Sequence, residues 1–166
     1  MSLFQPVFAA LEEAGSRYVV VGGVATVLHG YARFTADIDV ILDFEPTQTA
    51  KALAALGGLG LKPRAPVTLE AFADPAQRAA WAREKGMTVL SLWDPSDPMR
   101  EVDIFVEHPI PFDDLWRDSQ LMELGSAVVR VASIAHLIEM KRIANRPEDQ
   151  LDIEALTAIL EAKRPS

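Results

Sequence analysis

The sequence predicts an α+β fold, a small mixed β-sheet with flanking helices and a helical C-terminal part. Three observations carry this. Short apolar runs of the kind that form buried strands, such as Tyr18-Val19-Val20-Val21, lie between stretches with a helical period. The order is helix, strand, helix, strand, helix, hairpin and then helices, which is not the regular alternation of a doubly wound parallel sheet. Two apolar runs joined by Asp94-Pro95-Ser96-Asp97-Pro98 read as a hairpin, an antiparallel unit among helix-linked strands.

The elements follow in order. Phe4 to Ala14 reads as a helix, because Phe4, Val7, Phe8 and Leu11 share a face, and Gly15 ends it. Tyr18 to Val21 is a strand, broken by Gly22-Gly23. Val24 to His29 is a short helix stopped by Gly30, and Asp37 to Leu42 is the second strand. Thr47 to Leu56 is a helix closed by Gly57-Gly58, and Pro63 and Pro66 bracket a loop. Leu69 to Lys85 is helical in two pieces, with Asp74 as a cap and Pro75 in the first turn of the second. Met87 to Trp93 and Glu101 to Val106 form the hairpin, with a long loop between them. Val128 to Val131 reads as a short edge strand. Ser133 caps a helix to about Ala144, and Pro147 starts another to about Ala162. Residues 1–166 carry no internal repeat or low-complexity tract, so one domain is expected, of which residues 133–166 are the C-terminal helical part.

Composition narrows the function. The formal net charge of −8 argues against a general nucleic-acid-binding surface, which would present a basic patch to phosphates. It leaves room for a single phosphorylated ligand whose charge is balanced locally by metal ions. The chain has no cysteine, which excludes disulfides and thiolate metal sites. No apolar run approaches the roughly 18 residues that a membrane span needs. Met1 to Pro6 lacks the basic and apolar regions of a signal peptide, so no membrane association and a cytoplasmic location are expected.

Asp37 and Asp39 lie two apart on a predicted strand, so their carboxylates share a face while Ile38 and Val40 point into the core. Like charges this close repel unless a cation lies between them or water solvates each, and hard cations prefer carboxylate oxygens. Asp103 is the natural third ligand: it is the acid within Val102-Asp103-Ile104-Phe105-Val106, and burying an acid without a partner is costly. A bare Asp-x-Asp also occurs on ordinary exposed strand faces. Upstream, Val20-Val21-Gly22-Gly23 runs a strand into a diglycine and a short helix, where the backbone can approach a ligand closely and free amides favour anions. The Gly-Lys-Ser/Thr of a P-loop is absent.

Gly22-Gly23, thirteen residues and then Asp37-Ile38-Asp39 together resemble the signature of DNA polymerase beta-like nucleotidyltransferases. Within that superfamily, the string from Gly22 to Asp39 is similar to minimal nucleotidyltransferases near the abortive-infection toxin group, through His29-Gly30, Arg33-x-Thr35 and Asp37-Ile38-Asp39. Residues 18–42 carry the resemblance; Asp103 and the end of the chain extend it more weakly, and residues 57–100 add nothing. It implies a nucleotidyltransferase fold and transfer of a nucleoside monophosphate from a nucleoside triphosphate to an acceptor, with release of pyrophosphate. It implies Mg²⁺ (or Mn²⁺) at Asp37, Asp39 and Asp103, and a glycine turn, Gly22 and Gly23, that holds the triphosphate. The acceptor is open: a small molecule, a protein side chain or an RNA end. A catalytically inactive nucleotide-binding protein, or a toxin–antitoxin-type protein with a partner protein, stays open as the alternative.

Arg33 reads as a phosphate ligand or a surface arginine, and Thr35 as a contact to the glycine turn or a plain strand threonine. His29 reads as structural, at the end of its short helix. Lys141 falls seven residues after Ile134 and continues the apolar stripe of Ile134, Leu137 and Ile138. It either binds the triphosphate, as related enzymes suggest, or snorkels to water, or pairs with an acid. Asp152 shares a face with Leu156 and Ile159; the resemblance suggests a base there, and a brace to Lys141 or Arg142 is the other reading. Asp149 suits the start of its helix electrostatically. Trp81, Trp93 and Trp116 read as core or edge aromatics.

Overall fold

The computed structural model describes residues 2–165. Helix α1 (Gln5–Glu13) buries Val7, Phe8 and Leu11, the face that its spacing predicts. Strand β1 (Tyr18–Val21) is buried along its whole length. Helix α2 (Gly22–Leu28) follows without a break, then β2 (Ile38–Leu42) and α3 (Pro46–Gly58). A two-residue strand β3 (Lys62–Pro63) precedes α4 (Pro75–Lys85) and the hairpin of β4 (Val89–Asp94) and β5 (Asp97–Phe105). Helix α5 (Phe112–Asp118), the hairpin of β6 (Gln120–Leu124) and β7 (Ala127–Val131), and helices α6 (Ile134–Ala144) and α7 (Gln150–Ala162) complete the chain.

The sheet has seven strands in the order β3-β4-β5-β2-β1-β7-β6. It is mixed: β2 pairs with β5 and β1 with β7 in parallel, and the other neighbours are antiparallel. The parallel β2–β5 ladder sets Ile38 beside Val102, Asp39 beside Asp103 and Val40 beside Ile104. Ile38, Val40, Val102 and Ile104 are all fully buried. Because side chains alternate across a strand, burying these four turns Asp39 and Asp103 together to the opposite face. Tyr18 and Phe8 stack within the same core, 6.4 Å between centroids.

Several expectations need correction. The diglycine ends β1 as expected, but the helix starts at Gly22 rather than Val24, so the glycines form the first turn of α2, with Gly22 at φ +65°. Asp37 stands one residue before β2 rather than in it. The hairpin loop is short, Pro95-Ser96, because Asp94 Oδ1 accepts from both the amide and hydroxyl of Ser96 while Arg100 Nη1 donates to Asp94 Oδ2 at 2.7 Å. The strand at residues 127–131 is not an edge: β1 lies on one side and β6 on the other. Sequence reading passed over β6 because Gln-Leu-Met-Glu-Leu lacks the β-branched residues that mark strands. It passed over α5 because seven residues are too few to show a helical period. The two C-terminal helices fall where expected: Ser133 Oγ accepts from the His136 amide at 3.2 Å, and Asn145 at φ 51° closes α6. Helix α6 packs against both α2, the helix that starts at the glycine turn, and α7.

Candidate active site

The acids come first. Asp37, Asp39 and Asp103 each offer a carboxylate oxygen, and these oxygens all lie within 4.8 Å of one another. Asp39 and Asp103 are register partners on parallel strands, and Asp37 enters from the bend ahead of β2. Burial, reinforced by the charges of Asp37 and Asp103, pushes the Asp39 carboxyl up to about 7, although the Gly23 amide favours its ionised form. Burial likewise raises Asp103 to about 6, opposed by the hydroxyl of Ser91, its ladder neighbour on β4, and aided by the charges of Asp37 and Glu101. Asp103 Oδ1 is buried and has no hydrogen-bond partner. Protein groups therefore leave an unsatisfied acceptor and mutual repulsion at one point. A set of three carboxylates is the donor set of a hard, oxygen-preferring divalent cation such as Mg²⁺ or Mn²⁺, so these residues fit such an ion.

The glycine turn is shaped around these acids. A Cβ on Gly22 would overlap the Asp39 carboxylate, and one on Gly23 would sit 2.6 Å from Thr35 Oγ1. Thr35 Oγ1 donates to the Asp37 carbonyl at 3.2 Å and so fixes the loop that delivers the acids. Thr35 thus lies against the glycine turn. The Gly23 amide faces Asp39 and favours its ionised form.

The cations are held differently. Lys141 is 8% exposed and donates to Asp149 Oδ1 at 3.1 Å and to Asp152 Oδ2 at 2.7 Å. Arg33 pairs with the same oxygen of Asp152. Arg146 grips Asp149 through Nε at 2.8 Å and Nη2 at 3.2 Å. Burial penalises the Asp149 carboxylate, yet its bonds to Arg146 and Lys141 hold it below the ordinary range. Three cations and two acids thus form one chain linking the α2–β2 loop, α6 and α7. In this geometry Lys141 is paired with Asp149 and Asp152, and Asp152 is shared between Lys141 and Arg33.

Arg146 was missed by sequence reading. Its charge acts on Asp39, and Asp39 in turn helps to raise the Arg146 pKa, after the Asp149 bond. The only cue was a basic residue just past the Asn145 helix stop. Phe34 was also passed over: it is 80% exposed, between the anchored Arg33 and Thr35. His29 is structural, with Nε2 donating to the Ala132 carbonyl at 2.8 Å. Trp81 is buried in the core, whereas Trp116 is partly buried beneath Arg17 and Arg130.

No protein-family model matches the chain, and no curated protein matches it significantly. Solved structures do. The lincomycin-bound crystal structure of the lincosamide antibiotic adenylyltransferase LnuA superposes with a TM-score of 0.62, covering 95% of this chain and 96% of that one at 18% identity. The solution structure of the antibiotic-resistance factor ANT(2'')-Ia gives 0.60, covering 97% and 82% at 15% identity. At such identities the likeness is one of fold: the mixed sheet and its flanking helices are a nucleotidyltransferase fold. Among the described residues no helix is long and apolar enough to cross a membrane.

Proposed function

We propose that the protein is a metal-dependent nucleotidyltransferase that transfers a nucleoside monophosphate from a nucleoside triphosphate to an acceptor and releases pyrophosphate. The observation that carries this reading is the Asp37–Asp39–Asp103 cluster, with an unpartnered buried oxygen on Asp103, on a nucleotidyltransferase fold. In the reaction, a nucleophilic atom of the acceptor bonds to the α-phosphorus and the bridging oxygen leaves with the pyrophosphate. Bound Mg²⁺ or Mn²⁺ supplies neutralisation of the phosphate charge and activation of the nucleophile. Asp37 and Asp39 hold it from the β2 side and Asp103 from β5. Gly22 and Gly23 lack the side chains that would collide with Asp39 and Thr35, so the turn packs directly against the acids and its backbone would hold the triphosphate beside them. Thr35 keeps the turn and the acids in fixed relation.

Arg33 and Lys141 enter as cations held ready by Asp152, with Arg146 beside them. A triphosphate would compete with Asp152 for Arg33, the more exposed of the two. Asp152 acts in this reading as a brace and not as a base, since its Oδ2 accepts from both cations. The acceptor is a small molecule by preference, because the −8 charge disfavours RNA. A cytoplasmic location suits a user of nucleoside triphosphates. Kinship with the abortive-infection group rests on the Gly22 to Asp39 string. A second reading, a silent nucleotide-binding protein of the same fold with a partner protein, draws on the prior engagement of Arg33 and Lys141 by Asp152. Incubation with each α-labelled nucleoside triphosphate, Mg²⁺ and cell extract separates the two. Label appearing on an acceptor with pyrophosphate release supports transfer; nucleotide binding with no pyrophosphate under any condition supports the silent protein.

A further inference from the structure

The far pole of the sheet carries a positive charge that nucleotidyl transfer does not use. The parallel strands β2 and β5 end there, leading into Asp43-Phe44 and Val106-Glu107-His108, at the opposite end of β2 from Asp37. Arg78 of α4 reaches this pole and is only 5% exposed. Its Nη1 donates to the Phe72 carbonyl at 2.5 Å, and its guanidinium carbon lies 4.0 Å from the Phe44 ring centroid and 5.4 Å from that of Phe72. The carboxylate whose charge acts on it is Asp74, which makes no ion pair with it and is engaged in capping α4 through the Ala76 amide at 2.9 Å. Burial lowers the Arg78 pKa, as expected of a cation short of a counter-ion. Arginine is seldom buried this far without a carboxylate partner.

Among the described residues, no protein acceptor takes Arg78 Nε or Nη2, and neither is sealed from solvent. Arg78 lines a shallow depression of about 260 Å³ whose other walls include Phe44, Pro75, Ala79, Glu107 and His108. His108 cannot neutralise the guanidinium and adds no charge of its own. Burial holds its pKa down, its Nε2 donates to the Leu42 carbonyl at 2.8 Å, and its ring stacks on Phe44 with centroids 3.9 Å apart. Glu107 lines the rim but makes no ion pair with Arg78. A buried fork of N–H donors facing a small open depression is what recognises a planar or tetrahedral oxyanion.

We propose that this depression is a second ligand site, taking the carboxylate or phosphate group of a small molecule with Arg78 as its anchor. It is independent of the transfer reading, because it shares no residue with the acid cluster. The test uses the ¹⁵N-labelled full chain without divalent metal, at constant ionic strength set with chloride. Inorganic phosphate and, separately, acetate are titrated while the Arg78 Nε–H resonance is followed. A saturable shift with either anion is expected; phosphate alone would assign a phosphate monoester and acetate alone a carboxylate. Ala79→Glu keeps Arg78 and places a carboxylate at the rim from an exposed helix position, and should weaken binding by about tenfold or more. Gln77→Glu makes the same charge change outside the depression and should leave binding unaltered. A linear response to both anions, or the same affinity in Ala79→Glu as in Gln77→Glu, would overturn the site and leave Arg78 as a cation–π pin.

Discussion

The acid cluster and the ion-pair chain lie side by side, yet they treat charge in opposite ways. At Asp37, Asp39 and Asp103 like charges converge, one oxygen lacks any partner, and two pKa values rise towards neutrality. Across Arg33, Lys141, Arg146, Asp149 and Asp152 every charged group has an opposite partner. The first arrangement is destabilising when all three carboxylates are ionised, and either a proton or a bound cation would relieve it. The second is complete as it stands and ties three segments together. Under the proposed function, unsatisfied charge marks where an exogenous ion would bind, and satisfied charge marks the frame that keeps the site in place.

The largest expected effect falls on the unsatisfied side. Asp39→Asn should cut pyrophosphate release by at least about a hundredfold, because a metal's stabilisation of transition-state charge is worth several kcal/mol. The same substitution removes a repelling charge, so the metal-free variant should melt no lower than wild type. A variant that transfers normally would take Asp39 out of the reaction, and one that is unfolded would give it a structural role. On the satisfied side the pattern inverts. Lys141→Met leaves Asp149 and Asp152 buried with one cation fewer each and should cost about 3 kcal/mol in urea unfolding. Adding Asp152→Asn to it should recover part of that loss. A Lys141→Met protein of wild-type stability but weakened nucleotide affinity would make Lys141 a phosphate ligand alone and remove it from the structural frame.

Acidity distinguishes the two regions further. Asp39 and Asp103 have folded-state pKa values above the ordinary carboxylate range, at about 7 and about 6. The folded state thus holds their protons more tightly than the unfolded chain does. Their stabilising contribution is complete below about pH 4, the unfolded value, and is lost as pH rises through 6 to 7. In EDTA, the melting temperature contributed by this cluster should fall across that window, and Mg²⁺ should raise it more at pH 8 than at pH 5. Asp149, with a lowered pKa, behaves oppositely: its contribution is present above the ordinary carboxylate value and lost as pH falls below it. An Asp39→Asn protein that keeps the full wild-type pH dependence would contradict the assignment. A smaller effect on stability than that of Lys141→Met is expected from Gly22→Ala, about 1–2 kcal/mol, from its positive φ and the overlap with Asp39. Gly15→Ala, also at positive φ but with open space around it, should show the backbone part of that cost alone.

How far the sequence reveals these regions follows from the range of the contacts. The diglycine and Asp37-x-Asp39 are local patterns, and Asp103 betrays itself as an acid in an apolar strand, so the cluster could be assembled from period-2 alternation and a hairpin. The ion-pair chain could not, because Arg33 and Asp152 are 119 positions apart and their pairing depends on how α6 and α7 fold back over α2. Lys141 illustrates the limit: helical spacing placed it on the buried stripe, but which anion awaited it was a matter of tertiary structure. The fold shows the same division. Capped or strongly apolar elements were legible, whereas α5 and β6 are short and stabilised mainly by their neighbours, which misassigned β7 to the edge of the sheet.

The central claim, that Asp37, Asp39 and Asp103 form a divalent-cation site, is tested most directly by Mn²⁺ binding followed by electron paramagnetic resonance. Titration of the wild-type chain with Mn²⁺, with and without a nucleoside triphosphate, should deplete the free-ion signal saturably, more strongly with nucleotide and competitively with Mg²⁺. Folded Asp39→Asn protein should lose most of that depletion, and Asp149→Asn protein should keep it. Equal Mn²⁺ binding by wild type and Asp39→Asn, or none by either in the presence of nucleotide, would contradict the account.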